Sequence, residues 1–279
     1  MKIIPLIENN LVSDTLKSEH GLSLYIETEA HKILFDTGAS DLLIHNAEKL
    51  NVDLMEVDIV VISHGHSDHI GGLIYFLKYN TKAKVYLKKE IFSGQYFSVR
   101  NETQKHIGYS NELLKYNKRF EFIQNDCFIS DDLIFIANID KQYPFPLGNK
   151  LLFKNQDNKF LNDDFLHELI FAIKSKHGLT IFSGCSHNGI LNIVTTVKNF
   201  FPQEKITSVI GGFHLIDNNE YVSTEKDAEL LFIGQTLKQL LPEASFFTGH
   251  CTGKNAFGLL AQSLNQIHNL SDIKIIENE

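Results

Sequence analysis

Residues 62–72 read Ile-Ser-His-Gly-His-Ser-Asp-His-Ile-Gly-Gly and follow the apolar run 57–62. His64, His66, Asp68 and His69 thus place three imidazoles and a carboxylate within six positions. The first three alternate, so an extended segment or the turn after a strand can aim them the same way. His69 breaks the alternation and suits a loop with two ligand directions. If such groups were buried without an ion, each would need its own hydrogen-bond partner. Imidazole and carboxylate are the usual ligands of zinc and similar divalent metals, so the stretch reads as a metal site. Gly71 and Gly72 are expected to let the backbone turn tightly away from it.

Other features narrow the class. A chain of 279 residues with 43% hydrophobic content can bury a large core and is expected to form a single domain over 1–279. The formal net charge of -8 comes without a basic block, which argues against nucleic acid as the main partner. No stretch approaches the length of a membrane span, and residues 1–8 read as a first strand rather than a signal peptide. Cys127, Cys185 and Cys251 show no paired spacing, so a reducing, cytoplasmic setting is expected.

Strands are expected at 22–28, 32–35, 58–62 and 83–87, with helices at 41–50 and 70–78. The β-branched run 58–62 marks a strand covered on both faces, with the metal candidates at its C-terminal end. Residues 88–160 are rich in aromatic and polar groups and read either as ordinary connections or as an elaborated flap contacting an organic substrate. A helix is expected at 111–118 and a strand at 132–136. Strands at 178–183, 206–210 and 244–248 follow, with helices at 190–200, 224–241 (Thr224 as N-cap) and 255–267, and a last strand at 273–276.

Four of these strands end in a glycine and a histidine: the first cluster, His187, His214 and His250. The pattern places a histidine cluster on one rim of the sheet. Two metals about 3.5–4 Å apart would need more ligands than the first cluster supplies, and His187 and His250 are the natural additions. A metal-bound water titrates near neutrality and can attack a phosphoryl or carbonyl centre. Asp68 can serve as ligand, general base or both. Cys185 is either a soft metal ligand or a small buried residue. His214 is expected to contact substrate or support a ligand. Asp36, which closes a strand in Leu-Phe-Asp-Thr-Gly, is expected to orient a ligand histidine. Thr252, Gly253 and Lys254 precede a helix and are candidates for holding an anion such as phosphate.

His64-Gly65-His66-Ser67-Asp68-His69 resembles the H-x-H-x-D-H signature of the metallo-β-lactamase superfamily, with Asp36 and His250 matching its upstream Asp and last His. The resemblance spans essentially the whole chain and implies a four-layer αβ/βα sandwich, an α/β fold, with a binuclear site at one edge. The stretches 183–192, 211–215 and 249–253 are similar to the branch that includes the archaeal dihydropterin-ribofuranosyl-aminobenzene-phosphate synthase type. That implies a phosphorylated or pyrophosphorylated, pterin-like substrate.

The chain departs from the superfamily pattern at Gly184-Cys185, where typical hydrolases carry Gly-Asp and the Asp bridges the metals. Cys185 or His187 must take over, or the second metal is weakly held. One or two divalent ions are expected, zinc first, with manganese or iron accepted by the same ligands. The leading expectation is a hydrolase or transferase for a phosphate-bearing small molecule, working through metal-bound hydroxide or metal-polarised phosphate. The alternatives are a lactonase or thioesterase using the same site, and a non-catalytic metal or ligand sensor. Oligomeric state stays open.

Overall fold

The computed structural model describes residues 1–10, 15–216 and 222–273. They fall into two compact units. The first comprises Met1–Gln124, Leu151–His167 and the segment from Ser271; the second comprises Asn125–Lys150 and Glu168–Leu270.

The first unit is built on β1 (Lys2–Ile7), β2 (Ser23–Glu27), β3 (Lys32–Phe35), β4 (Ile59–Val61) and β5 (Lys84–Leu87). β1 to β3 pair antiparallel, whereas β3, β4 and β5 run parallel. Every residue of β4 is buried, as its β-branched composition requires. Helix α1 (Leu42–Lys49) follows β3. Leu34, Val60, Ile62, Leu73, Phe76 and Val85 share one core.

The helix expected at 70–78 is two pieces, α2 (Ser67–Ile70) and α3 (Leu73–Tyr79). The intervening glycines do not turn the chain sharply: Gly71 and Gly72 have ordinary helical φ of -63° and -71°. Gly72 serves close approach instead, since a Cβ there would lie 2.1 Å from the Thr37 carbonyl oxygen.

The aromatic-rich segment divides between the two units. β6 (Gln95–Arg100) and β7 (Thr103–His106) form an antiparallel hairpin. Residues Asn111–Arg119 are 3-10 rather than α-helical, and β8 (Phe120–Phe122) extends the first sheet beside β5. β9 (Cys127–Phe128) and β10 (Leu133–Ile136) belong to the second unit. β11 (Leu152–Gln156) and β12 (Lys159–Asn162) return to the first unit and join β6 and β7 in a four-stranded sheet.

The second unit continues with β13 (Ile170–Ser175), β14 (Gly178–Phe182), β15 (Ile206–Ile210), β16 (Ser245–Thr248) and β17 (Ile267–Asn269). Together with β9 and β10 these form a sheet ordered β17-β16-β15-β14-β13-β10-β9. β14 to β17 run parallel, so the loops after β14, β15 and β16 leave the sheet at one edge. α4 (Ile190–Phe200), α5 (Asp227–Leu240) and α6 (Lys254–Leu260) contribute to a core with Ile181, Val209 and Phe213.

Two helices differ from expectation. α5 starts at Asp227, not Thr224, because Glu229 accepts a hydrogen bond from the Lys226 backbone N–H at 2.9 Å, while the Thr224 N–H is spent on the Leu215 carbonyl. α6 stops at Leu260, and Ile267 begins β17, because 267–269 pair with Phe246, Phe247 and Thr248. The strand expected at 273–276 lies outside the described residues beyond Ile273. Among the described residues no helix is long and apolar enough to cross a membrane.

Candidate metal centre

In the first unit the turn after β4 brings His64, His66 and His69 together in a buried cluster, with ring centroids 4.7 Å (His64–His66) and 4.1 Å (His64–His69) apart. Asp36 supports two of them. Held in the left-handed region (φ 55°), its carboxylate accepts the Ser63 N–H at 2.8 Å, the Ser63 hydroxyl at 2.7 Å and His69 Nδ1–H at 2.7 Å. The Ser63 hydroxyl spends its proton on Asp36, so its oxygen accepts from His64 Nδ1 at 2.9 Å. One carboxylate thereby fixes both imidazoles in the tautomer whose Nε2 carries the lone pair.

This assignment makes one contact diagnostic. Asp68 Oδ2 lies 3.6 Å from His69 Nε2, so a carboxylate oxygen faces a lone pair. Two acceptors at that range repel unless a proton or a metal cation lies between them. A tetrahedral ion with N and O bonds near 2.1 Å separates its ligand atoms by roughly 3.4 Å, so the donor set fits a divalent metal. Asp68 is also 3.4 Å from His20 Nε2, and its side chain is 19% exposed, unlike the buried histidines. Burial, followed by the neighbouring His69 and His66, holds His64 well below the ordinary imidazole value. Burial also lowers His66, with Asp163 acting in the opposite direction. Both shifts favour the neutral, metal-binding form.

Asp163 and His167 are buried parts of this cluster that the sequence reading missed. Asp163 Oδ2 lies 3.3 Å from His66 Nε2 and 3.0 Å from His167 Nε2. Its Oδ1 accepts the Phe165 N–H at 3.0 Å. His167 Nδ1 accepts the Gly65 N–H at 3.1 Å, and the Ser67 N–H is bonded to the Ile107 carbonyl at 2.6 Å. Burial works against charge on Asp163, but His167 and then His66 outweigh it and hold the carboxyl below the ordinary carboxylate range. Tyr96 is fully buried, its ring 4.5 Å from that of His167 and 5.7 Å from that of His66. This aromatic of the 88–160 segment therefore backs the cluster.

In the second unit the loops after β14, β15 and β16 carry His187, His214 and His250, all buried. Ser186, His214 and His250 adopt φ of 58°, 52° and 46°. Gly211 (φ 147°) follows β15, and a Cβ there would lie 1.8 Å from the Ser183 carbonyl oxygen. Glu168, also missed from sequence, braces the first of these loops: its carboxylate accepts the N–H groups of His187 and Asn188, each at 2.7 Å. Asn149 donates to the His187 carbonyl at 2.8 Å and accepts from His187 Nδ1 at 3.1 Å, leaving the lone pair on Nε2.

The His187 and His214 rings are 4.3 Å apart. Both ring nitrogens of His214 are buried, and the ring lies beside the two thiols of Cys185 and Cys251. Sγ of Cys185, Sγ of Cys251 and a His214 ring nitrogen lie within 4.8 Å of one another. The Cys251 sulfur accepts the His214 backbone N–H at 3.2 Å. Burial disfavours a thiolate there, but Cys185 and His250 outweigh it, and Cys251 sits well below the usual thiol value.

Thr252 is hydrogen-bonded within its own unit. Its buried hydroxyl accepts the Phe213 N–H at 3.0 Å and hydrogen-bonds Thr248 Oγ1, tying two loops together. Lys254 is exposed at the start of α6, which spans only seven residues.

Residues 18–187 match the family model of the metallo-beta-lactamase superfamily. The chain is 31% identical to Tm1679, described as a metal-dependent hydrolase of the beta-lactamase superfamily, with a TM-score of 0.80 over 96% of this chain and 94% of that one. It is 28% identical over 265 residues to a 7,8-dihydropterin-6-methyl-4-(beta-D-ribofuranosyl)-aminobenzene-5'-phosphate synthase of Methanocaldococcus jannaschii, covering 89% of this chain and 86% of the relative. An uncharacterised protein of the same organism is 27% identical over 95% of this chain and 96% of its own length.

Proposed function

The chain belongs to the metallo-β-lactamase superfamily, and from that premise we propose that it is a metal-dependent enzyme acting on a phosphate-bearing aromatic small molecule, by hydrolysis or by transfer onto an acceptor. The observation that carries the metal reading is the facing pair of acceptors, Asp68 Oδ2 and His69 Nε2, 3.6 Å apart. His64, His66, Asp68 and His69 are the first unit's ligands. His187 and His250 are further ligands proposed from their sequence positions, with Cys185 as a soft donor in place of the usual bridging carboxylate. One or two ions of the zinc, manganese or iron type suit these donors.

When bound, such an ion supplies Lewis acidity toward a phosphoryl oxygen and acidifies water. The chain's own residues do the rest. Asp36 holds His64 and His69 in one tautomer. Asp68, the accessible carboxylate of the cluster, takes the proton of the attacking oxygen on the carboxylate oxygen that does not face His69. His214, buried beside the Cys185 and Cys251 thiols, contacts the substrate.

Support for a phosphorylated substrate comes from the name of the synthase relative, and support for an aromatic one from the second unit. There a cavity of about 130 Å³ is lined in part by Tyr143, Phe145, Phe213 and Phe232, with the Glu225 carboxylate beside it. The test is metal analysis of untagged protein, followed by assays on phosphomonoesters, phosphodiesters, lactones and thioesters. Metal-dependent turnover of a phosphate ester is expected. His66→Ala should lower bound metal and cut turnover by more than the roughly 100-fold typical of losing a supporting residue. Full activity in protein devoid of metal sinks the reading, and turnover confined to lactones or thioesters replaces its substrate class.

A further inference from the structure

Asp68 is the proposed ligand of the first unit that solvent reaches. Its side chain is 19% exposed, against 0% for His69 and 4% for His66. A carboxylate at the rim of a buried cluster has other rotamers that point into water, so a partner has to hold it. The partner is His20, whose Nε2 lies 3.4 Å from Asp68 Oδ2.

The direction of that contact follows from one backbone group. The Gly21 N–H donates to Asn9 Oδ1 at 3.2 Å, so the opposite end of the amide, Nδ2, is the end that lies 3.1 Å from His20 Nδ1. An amide NH₂ only donates. His20 Nδ1 therefore carries the lone pair, and the neutral ring carries its proton on Nε2, the nitrogen that reaches Asp68. Asp68 Oδ2 can accept that N–H and keep a second lone pair for the side of His69 Nε2, 3.6 Å away.

The His20 side chain is itself 60% exposed, so packing does not place it. Its chain neighbours do. The Glu19 carboxylate accepts the Ala39 N–H at 2.9 Å, the Ser40 N–H at 3.2 Å and the Ser40 hydroxyl at 2.7 Å. Leu22 donates its N–H to the Asp68 carbonyl at 3.1 Å, and its own carbonyl accepts the Gly38 N–H at 2.9 Å. Gly21 permits the approach, because a Cβ there would lie 2.6 Å from the same Asp68 carbonyl oxygen. Residues 19–22 thus grip Asp68 by main chain and side chain together.

We propose that His20, oriented by Asn9, is a positioning residue for Asp68: its Nε2–H pins Oδ2 beside His69 Nε2, so that the carboxylate enters the metal site in one rotamer. This inference rests on the metal reading above. His20 is not itself a ligand in this arrangement, since the nitrogen facing Asp68 carries a proton and the other is engaged by Asn9.

The experiment measures the zinc affinity of full-length protein by chelator competition in wild type, His20→Gln and His20→Asn, each also in an Asp68→Asn background. Glutamine carries an NH₂ at the reach of Nε2, whereas asparagine places its amide at the level of Nδ1, short of Asp68. His20→Asn should weaken zinc binding about 10–100-fold, the usual cost of losing a group that holds a ligand, and His20→Gln should restore most of it. In the Asp68→Asn background the two His20 variants should change nothing further. The melting temperature of metal-free protein should stay the same across the His20 series, since the side chain is exposed. In ¹⁵N-histidine spectra of metal-free protein, with His20 assigned by its loss in His20→Gln, the ring should show a protonated Nε2 and its signal should move in Asp68→Asn.

Wild-type zinc affinity in His20→Asn overturns the proposal. So does an equal loss in His20→Gln and His20→Asn, or a loss that persists in the Asp68→Asn background, or a His20 signal that does not respond to Asp68→Asn. Protein that takes up no zinc, while the His20 signal still moves in Asp68→Asn, supports the hold of His20 on Asp68 and overturns the metal reading alone.

Discussion

The two units organise their histidines with different chemistry. In the first, carboxylates stand behind the imidazoles: Asp36 behind His64 and His69, Asp163 behind His66. In the second, the partner of His187 is the neutral amide of Asn149, and the neighbours of His214 are thiols. A carboxylate partner raises the basicity of the imidazole it holds and stabilises positive charge that builds up on a metal-bound ring. An amide fixes the tautomer without that charge. The first unit's donors are therefore the ones expected to hold an ion more tightly. The second unit offers an imidazole without a carboxylate behind it, with sulfur as its polarisable donor.

The largest expected effect that sharpens this contrast is at Asp36. Asp36→Asn removes the charge that serves two imidazoles and leaves one acceptor too few for three donors. Zinc affinity measured by chelator competition should fall about 10–100-fold. Stability should fall by about 1–3 kcal/mol for the donor left without a partner. A smaller effect is expected at Asn149: Asn149→Ala should cost about 0.5–1.5 kcal/mol in thermal denaturation and only a few-fold in zinc affinity. Equal losses of affinity in the two variants would erase the distinction.

A separate effect concerns pH in the metal-free protein. His64 and His66 are held below the ordinary imidazole value by burial, so the unfolded chain binds more protons than the folded one once pH drops under about 6.5. Their contribution to stability is present above that pH and is lost as pH falls through it, by up to about 1.4 kcal/mol per pH unit for each histidine. Melting temperature should decline from pH 7 to 5, and His64→Gln should flatten the decline. An unchanged slope in that variant would place the acid sensitivity outside the first cluster.

The difference between the units also explains what could be read from sequence. The first cluster was legible because its ligands sit within six residues behind a β-branched strand. Helix α4 and strands β3 and β15 have the expected boundaries because apolar periodicity and burial agree along them. Asp163 and His167 were not legible as partners of residues 65 and 66, because about a hundred positions separate them and only the fold joins them. A signal was nevertheless present: Asp163-Asp164-Phe165-Leu166-His167-Glu168 packs four ionisable groups into six residues, the same density that marked the first motif. Three of those four are buried. Helix α6 was overextended because its apolar spacing continues past Leu260, while pairing with β16 claims Ile267 for a strand.

Asp36, Ser186, His214 and His250 all hold left-handed backbone without being glycine. Each gives up about 1–2 kcal/mol that a glycine would not. Selection acting on heat resistance alone would find these positions early and rewrite them, and the protein would become sturdier as it lost its chemistry. With the roles proposed above for Asp36, His214 and His250, these are positions where durability is exchanged for reactivity. A stabilised version of this enzyme has to be sought elsewhere in the chain.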